Sequence, residues 1–329
     1  MATQTEVLKL LQQTAPDYCS GDQLAQQLGL SRTAIWKAIQ GLQTTGYAIE
    51  SRHGLGYRYL ENNQLDMTTI KSQTNSSQPY ELIVLPTVDS TNAYLKRLAT
   101  REPLTNPVVV VADTQTAGYG RSGRNFYSPS TTGLYMSIGL PIGPQQPLDA
   151  GLLTTSTAVV VARTLQQLFH VEVSLKWVND VLVNHYKVVG ILSEAVTDLE
   201  SGQISTVIVG MGFNLTTQGF PTAIEHKAGA IAGPQSTVTR NQVISTLLTD
   251  FFAGYPTYMT GDFLPAYRQL SMVIGKQVEL KSGADVILGT VQDIDATGAL
   301  VVLTTNGQVR HLSSGEITKV NLLTGDYHG

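Results

Sequence analysis

The sequence predicts an α+β protein of several domains, helical at its N-terminus, mixed α/β in the middle and all-β at its C-terminus. Residues 1–60 combine helix-capping patterns with apolar residues at helical spacing. Residues 80–270 mix strand-like and helix-like segments, whereas residues 273–323 contain only short strand-like segments. We therefore expect domains at 1–62, 80–272 and 273–329, with a polar linker at 63–79.

Composition limits the class of protein. The 329 residues allow two or three domains of roughly 100–200 residues. The net charge of −4 leaves no global basic field, so a nucleic-acid site would have to be local. Cys19, the single cysteine, excludes an internal disulfide, and no histidine pair has metal-ligand spacing. With no signal peptide or long apolar run, we expect a cytoplasmic protein with no structural metal and no membrane partner.

The N-terminal domain begins with two capping-box patterns, Thr3-x-x-Glu6 and Ser20-x-x-Gln23, which predict the starts of two helices. Ser31 would cap a third helix. The inner face of that helix would carry Ile35, Ala38, Ile39 and Leu42. Strands at 48–50 and 57–60 would follow as a hairpin. Two helices joined by a short turn and followed by a hairpin predict a winged helix-turn-helix.

The central and C-terminal domains are predicted from strand and turn signals. Central strand candidates are 81–85, 108–112, 134–140, 173–177, 181–183, 187–194 and 206–211, and helix candidates are 91–100, 153–169, 240–255 and 263–270. Asn184-His185 predicts a tight turn, which favours a largely antiparallel sheet. C-terminal strand candidates are 277–280, 286–294, 299–303, 308–312 and 317–321. Such short strands, with a hairpin signal at Asn306-Gly307, predict a small β-barrel.

The glycine-rich loop Gly118-Tyr119-Gly120-Arg121-Ser122-Gly123 matches the dinucleotide-binding pattern by letter. That fold needs a strand directly before the first glycine and a helix starting inside the motif, and neither is predicted here. The context therefore disfavours a nucleotide-binding oxidoreductase. Arg121 and Arg124 could instead grip phosphate or carboxylate oxygens from a flexible loop. An ordinary solvated surface loop is the alternative.

Several motifs follow one another along the chain. They are Ser90-Thr91-Asn92, Gln115, the segment Gly118–Arg124 with Phe126, Lys176-Trp177-Val178-Asn179-Asp180, Lys187-Val188-Val189-Gly190-Ile191-Leu192 and Gly210-Met211-Gly212-Phe213-Asn214. In this order, behind a winged helix, they resemble the biotin protein ligases, of the bifunctional type that is also a biotin-operon repressor. The resemblance covers nearly the whole chain. It implies a class II synthetase-like catalytic domain and an SH3-like β-barrel.

The resemblance also implies a reaction. The carboxylate of biotin would attack the α-phosphate of ATP to give biotinyl-5′-AMP, and a lysine of a biotin carboxyl carrier domain would attack that anhydride. Mg²⁺ would accompany ATP, held largely by phosphate oxygens and water. The adenylate would promote a homodimer that binds operator DNA of biotin genes.

Site residues are carried over from the same resemblance. Those for biotin are Ser90, Thr91, Asn92, Gln115, Gly118, Tyr119, Gly120, Arg121 and Lys187, and those for the nucleotide are Arg121, Arg124, Phe126, Lys176, Asn179 and Asn214. Lys187, Arg121 and Asp180 would be catalytic. Lys187 would stabilise charge during adenylation, and Asp180 would either polarise the acceptor lysine or support the metal. Residues 215–229 would form a second loop over the adenylate.

Several of these residues also have ordinary structural explanations. Ser90 could cap a helix, Asp180 a turn, and Lys187 could be a solvated edge lysine. Phe126 could be a core residue. Tyr119 and Phe126 stand where the family often has arginine and tryptophan, which leaves the role of the Tyr119 side chain open.

The third helix of the N-terminal domain is the expected DNA-reading element. Its outer face, together with the hairpin, supplies Arg32, Thr33, Trp36, Lys37, Gln40, Arg52 and His53, with Arg58 alongside. Residues 1–60 carry five basic and four acidic side chains, a net charge of only +1. One domain would therefore bind DNA weakly, and a dimer would double its phosphate contacts. A winged helix kept only for protein contacts is the alternative.

Two further interpretations remain for the whole chain. One is a lipoate-type acyl ligase, which the Gly118–Arg124 loop and the winged helix disfavour. The other is a biotin-sensing repressor without ligase activity, which Arg121, Lys187 and Asp180 disfavour.

Overall fold

The computed structural model describes residues 2–44, 46–60, 63–143, 145–198, 201–282, 285–320 and 327–328. The chain divides into two compact units. The first comprises residues 1–75 and 239–245, and the second comprises residues 76–238 and 246–329. Each unit has its own buried apolar core.

The first unit contains the predicted winged helix. Its elements are α1 (Ala2–Thr14), α2 (Gly21–Leu28), α3 (Arg32–Thr44), β1 (Ile49–Arg52) and β2 (Gly56–Tyr59). The capping box at Ser20 and Gln23 is present, and the Ser31 hydroxyl accepts from the Ala34 N–H at 3.2 Å. The expected cap at Thr3 is wrong, because α1 already includes Ala2, a residue with the highest helix propensity.

Helix α3 packs against α1 through the apolar stripe that the sequence predicts. Ile35 and Ile39 are buried with Val7 and Leu11 of α1. Gly29 ends α2 in the left-handed conformation with φ 65°, which a residue without a side chain adopts at little cost. The turn at Gly29 separates α2 from α3, and the hairpin β1–β2 follows α3 as the wing.

The segment predicted as a linker is wrong in part, because it contains helix α4 (Met67–Gln73). Asp66 caps this helix by accepting from the Thr69 N–H at 2.7 Å. Ile70 is fully buried, and Gln12 of α1 donates to the Thr69 hydroxyl at 2.5 Å. One cap and one apolar anchor therefore order a short helix in a polar segment.

In the second unit, the described residues form a seven-stranded sheet in the order β3-β4-β5-β9-β8-β7-β6. Its strands are β3 (Glu81–Val88), β4 (Val108–Gln115), β5 (Gly133–Pro141), β6 (Ser174–Lys176), β7 (Asp180–Val183), β8 (Tyr186–Thr197) and β9 (Ile204–Asn214). Only the pair β3–β4 is parallel among these strands, which confirms the largely antiparallel prediction. Asn184 and His185 have φ of 50° and 67° and form the predicted tight turn.

The sequence predicts four further helices, and the structure contains them: α5 (Thr91–Arg101), α6 (Ala150–Phe169), α7 (Arg240–Gly254) and α8 (Leu264–Leu270). Of these, α5, α6 and α8 contact the sheet, whereas α7 begins in the first unit and continues in the second. Leu95 of α5 is fully buried in a cluster with Val108, Val110 and Ile208 of the sheet. This packing holds α5 against β4 and β9.

The C-terminal strands form one six-stranded antiparallel sheet within the described residues, in the order β13-β12-β11-β10-β14-β15. They are β10 (Gln277–Ser282), β11 (Asp285–Ile294), β12 (Leu300–Thr304), β13 (Val309–Leu312), β14 (Glu316–Val320) and β15 (Tyr327–His328). The sequence missed β15, which spans only two residues. Position 321, the predicted end of the preceding strand, lies outside the described residues. In the part of the chain that is described, no helix has the length and apolar character needed to cross a bilayer.

Candidate functional site

A cavity of about 910 Å³ lies between the large sheet and the C-terminal sheet. Almost every predicted ligand-binding residue of the second unit lines it. These are Ser90, Thr91, Asn92, Gln115, Tyr119, Gly120, Arg121, Arg124, Phe126, Lys176, Asn179, Asp180, Lys187 and Asn214. The predicted residue that does not line the cavity is Gly118.

Gly118 instead leaves room for its neighbours. A Cβ atom there would lie 2.6 Å from the Ser128 hydroxyl and 2.7 Å from Gln115 Nε2. Those two side chains are hydrogen-bonded to each other at 3.1 Å. A larger residue at position 118 would therefore displace the polar group that borders the cavity.

The N-terminus of α5 supplies a buried polar cluster at one end of the cavity. The Thr91 N–H donates to Gln115 Oε1 at 2.9 Å, and Ser137 Oγ lies 2.6 Å from both Thr91 Oγ1 and Asn92 Oδ1. Ser90 also caps α5, accepting from the Ala93 N–H at 3.5 Å, so the predicted cap is present in a residue that also lines the cavity. Buried polar groups of this kind suit a ligand with its own donors and acceptors.

Two glycines of the sheet admit the Phe126 ring. A Cβ atom at Gly212 would lie 2.6 Å from the ring, and one at Gly190 would lie 3.5 Å from it. Phe126 also meets Tyr135 edge-on, with ring centroids 6.4 Å apart. The ring is half-buried and forms part of the cavity wall, so it is not an ordinary core residue.

The glycine-rich loop folds back on itself as a short hairpin. Tyr119 pairs with Asn125 in an antiparallel bridge, and the Phe126 N–H donates to the Gly118 carbonyl at 2.8 Å. No helix opens from the motif: its tip is a single 3₁₀ turn, Arg121–Gly123. This geometry agrees with the expectation that the loop is not a dinucleotide-binding turn.

The two arginines of this loop contact the C-terminal sheet. Arg121 Nη1 donates to the Gly315 carbonyl at 2.9 Å, and Arg124 forms a two-pronged ion pair with Glu316. This ion pair, together with the Lys176 and Arg121 charges, holds the pKa of Glu316 below its usual value despite partial burial. The C-terminal sheet thereby closes one side of the cavity.

Lys187 and Asp180 form an ion pair on the cavity wall, with Nζ 2.6 Å from Oδ1. Their side chains are 32% and 16% exposed, so Lys187 is not a freely solvated edge lysine. The contact between Lys187 Nζ and Asp180 Oδ1 is an electrostatic attraction, because Oδ1 is buried and has no well-aligned hydrogen bond. Lys187 lies on β8 and Asp180 begins β7, so the turn at Asn184-His185 brings them together.

Lys176 is the most deeply buried cation of the site, only 3% exposed at the end of β6. Burial lowers its pKa to about 8, and the Lys187 and Arg124 charges act in the same direction. The carboxylates of Asp180 and Glu316 oppose that shift without cancelling it. A lysine whose charged form is disfavoured by burial favours an anionic ligand nearby.

Residues 215–229, the predicted second loop, reach the cavity through Phe220, Ile224, Lys227 and Ala228. The Lys187 N–H donates to the Lys227 carbonyl at 2.8 Å, and the Gly229 N–H donates to the Lys187 carbonyl at 3.0 Å. The loop thus runs beside the start of β8. Asn179, whose Nδ2 donates to the Ile191 carbonyl at 2.8 Å, anchors the opposite flank.

Sequence reasoning missed the C-terminal wall of the cavity. Lys281, Ser314, Gly315, Glu316 and Ile317 line it. The contact of Glu316 with Arg124 spans 192 positions, and neither residue carries a local signal for it. Trp177 also escaped a functional assignment, although its indole N–H donates to the Gly298 carbonyl at 3.0 Å and links the two sheets.

A metal cage of protein side chains does not form within the described residues. No group of three or more His, Cys, Asp or Glu side chains converges there.

The predicted DNA-reading face belongs to the first unit. Arg32, Thr33, Trp36, Lys37, Gln40, Arg52 and His53 are all exposed. Trp36 is 53% exposed, which is unusual for tryptophan and leaves its ring available to a partner. Arg58 differs, because its guanidinium donates to Glu50 at 3.1 Å and lies 4.7 Å from the Tyr18 ring centroid.

Fold and cavity together define a mixed α/β domain with a cation-lined cavity, preceded by a winged helix-turn-helix. Three family models match the chain: an HTH domain over residues 3–58, the biotin/lipoate A/B protein ligase family over 84–214, and the biotin protein ligase C-terminal domain over 273–320. The bifunctional ligase/repressor BirA of Bacillus subtilis is 30% identical over 321 residues, covering 95% of this chain and 97% of that protein.

Other similarities agree with this match. BirA of Escherichia coli is 30% identical over 325 residues, covering 97% of this chain and 98% of that one. The structure of a biotin protein ligase from Aquifex aeolicus in complex with biotin and ATP superposes with a TM-score of 0.59 at 26% identity. It covers 72% of this chain and 97% of its own. The chain belongs to the biotin/lipoate A/B protein ligase family, within which it is similar to the bifunctional ligase/repressors.

Proposed function

We infer that this protein is a biotin protein ligase and a biotin-responsive repressor in one chain. It activates biotin with ATP to biotinyl-5′-AMP and transfers biotin to a lysine of a carboxyl carrier domain. The observation that carries this proposal is one cavity that joins a buried polar cluster to a group of cations. Near-full-length similarity to ligase/repressors supports both activities.

Biotin occupies the polar end in this proposal. The ureido group of biotin has two N–H donors and one carbonyl acceptor, and it is costly to bury without partners. Ser90, Thr91, Asn92 and Gln115 offer hydroxyl and amide groups of both kinds. Tyr119 and Gly120 border the same end from the glycine-rich loop.

The carboxylate and the α-phosphate meet at the cationic end. Attack of a carboxylate on a phosphate brings negative charges together, so preorganised cations supply the main stabilisation. Lys187 and Lys176 line this part of the cavity, and Arg121 and Arg124 project from the loop. For the arginines to contact phosphate, their bonds to Gly315 and Glu316 have to exchange for bonds to the ligand.

Asp180 orients Lys187 in this scheme. Their ion pair supports a positioning role before adenylation, beside the roles in metal support or acceptor activation that the family resemblance offers. Mg²⁺ enters with ATP as part of the substrate, and the buried carboxylate oxygen of Asp180 suits a hard cation. The metal would neutralise phosphate charge.

The adenine lies against Phe126 in this proposal, with Asn179 and Asn214 alongside. The ring forms part of the cavity wall next to two glycines, which leaves a flat surface for stacking. We further propose that the large sheet is class II synthetase-like and that the C-terminal sheet closes as an SH3-like barrel. The domains would then divide at 1–62, 80–272 and 273–329.

Adenylation tests the ligase proposal directly. Incubation with biotin, ATP and Mg²⁺ should release about one pyrophosphate per protein molecule and leave bound biotinyl-5′-AMP, detectable by mass spectrometry. Lipoate in place of biotin should give no adenylate. An adenylate formed with lipoate alone would transfer the assignment to a lipoate-type ligase, and no adenylate with either acid would favour a repressor without ligase activity.

The repressor proposal rests on the exposed face of α3 and on the similarity to ligase/repressors. We propose that biotinyl-5′-AMP promotes a homodimer, which brings two such faces to one operator and doubles the phosphate contacts. A gel-shift assay on a biotin-gene promoter should show binding only with biotin and ATP together. Unchanged migration under all conditions would leave the winged helix with protein contacts alone.

A further inference from the structure

Glu194 of β8 gathers three side chains beside the polar end of the cavity. Tyr119 donates to Oε2 at 2.9 Å, and Asn92 Nδ2 donates to the same oxygen at 2.8 Å. Lys96 donates to Oε1 at 2.5 Å and lies 5.6 Å from the centroid of the Tyr119 ring. We call these four residues the Glu194 cluster. It joins the glycine-rich loop to both β8 and α5.

The cluster is built around an ionised carboxylate. Burial would raise the pKa of Glu194, but hydrogen bonds from Lys96, Asn92 and Tyr119 outweigh burial and hold the pKa below its usual value. Burial and the carboxylate raise the pKa of Tyr119, so its phenol stays a donor at neutral pH. Hydrogen bonds to an ionised acceptor are roughly twice as strong as neutral ones.

Because Tyr119 lies at the base of the glycine-rich loop, its hydrogen bond to Glu194 can restrain the whole loop. Tyr119 pairs with Asn125 across the base of the hairpin, so holding Tyr119 holds both sides of the loop. Glycines at 118, 120 and 123 would otherwise leave the loop many conformations to lose when it closes on a ligand. The partner Asn92 also lines the cavity, which couples the base of the loop to the polar cluster.

We propose that Tyr119 is a positioning residue that holds the glycine-rich loop in its ligand-binding conformation through Glu194, which Lys96 fixes in place. The proposal rests on the assignment of the cavity to biotin. It gives the side chain at position 119 a role, and it includes two residues, Lys96 and Glu194, that the sequence did not single out. Tyr119 acts on affinity for biotin and not on the chemical step.

The Tyr119→Phe variant tests this in the full-length protein, because it removes only the hydroxyl. The KM for biotin should rise about tenfold, and kcat should stay within about twofold. Trypsin should cleave faster after Arg121 and Arg124, since the base of the loop is released. Tyr80→Phe is the matched control, because Tyr80 stacks on Phe252 away from the cavity. It should change neither measurement.

A double substitution separates positioning from simple packing. If Tyr119 acts through Glu194, then adding Tyr119→Phe to Glu194→Ala should raise the KM little beyond that of Glu194→Ala alone, because Glu194→Ala already removes the acceptor of Tyr119. Glu194→Gln alone keeps an acceptor and should raise the KM less than Glu194→Ala. Independent, multiplying effects or an unchanged KM would overturn the proposal. If the wild type transferred no biotin, the ligase assignment would fail, and the trypsin rates would still decide whether Tyr119 holds the loop.

Discussion

Replacing Lys176 with methionine should stabilise the protein and abolish its reaction together. Burial lowers the pKa of Lys176 from 10.5 to about 8. At about 1.4 kcal/mol per pKa unit, the charged lysine costs the folded protein about 3 kcal/mol at pH 7. Methionine has a similar length and no charge, so the free energy of unfolding should rise by up to that amount. Loss of the cation should slow adenylation by about 10²-fold or more.

The stability that Lys176→Met gains over the wild type should decrease as the pH rises. Between pH 8 and pH 10.5 the unfolded lysine keeps its proton while the folded lysine has lost it. The unfolded state then binds more protons, so the stability of the wild type rises with pH. The advantage of Lys176→Met is therefore full below pH 8 and declines toward zero near pH 10.5.

Urea unfolding followed by tryptophan fluorescence measures this effect. The protein has two tryptophans, so a Trp36→Phe background leaves Trp177, buried in the second unit, as the reporter. Lys276→Met is the control, because Lys276 is exposed and its loss should change stability by less than about 0.5 kcal/mol. Equal stability of Lys176→Met and wild type at pH 7, or an undiminished gain at pH 10, would show that burial of the Lys176 charge does not cost stability.

Two further substitutions probe the cavity wall and the DNA-reading face. Gly212→Ala places a Cβ atom 2.6 Å from the Phe126 ring, so it should raise the KM for ATP about tenfold and cost about 1–3 kcal/mol of stability. Gly233→Ala, which meets no atom within 4 Å, is its control in steady-state kinetics and thermal melts. Trp36→Ala should abolish the biotin-dependent gel shift, yet change the unfolding free energy by less than about 0.5 kcal/mol because Trp36 is largely exposed. An undiminished gel shift with folded Trp36→Ala would contradict this assignment.

Local signals predicted most of the fold. The cap at Ser20 and the stop at Gly29 define α2, and the two left-handed residues Asn184 and His185 define the turn that joins Lys187 to Asp180. These features depend on neighbours within a few positions, so the sequence displays them directly. Several central strands were predicted too short, among them 81–85, 108–112 and 206–211 in place of Glu81–Val88, Val108–Gln115 and Ile204–Asn214, because half-buried strand ends carry a weaker alternation.

Long-range contacts explain what the sequence did not predict. Helix α4 depends on the burial of Ile70. One buried apolar residue does not produce a periodic hydrophobic pattern, so the sequence carries no helix signal there. Glu316 lines the cavity and pairs with Arg124, and Glu194 accepts a hydrogen bond from Tyr119 beside the cavity. Each partner lies at least 75 positions away in the chain, beyond any local pattern. Local motifs indicated residues within short continuous runs and gave no signal for those that only the tertiary fold brings near.

Transfer of biotin to a purified carrier domain is the decisive assay of ligase activity. Intact mass should show one added biotinyl group with ATP and Mg²⁺, and none when ATP is omitted. Lys187→Met should give no transfer within the same time, while Lys276→Met should match the wild type, with circular dichroism confirming that both are folded. Undiminished transfer by folded Lys187→Met, or no transfer by the wild type, would contradict the claim that this cation-lined cavity activates biotin.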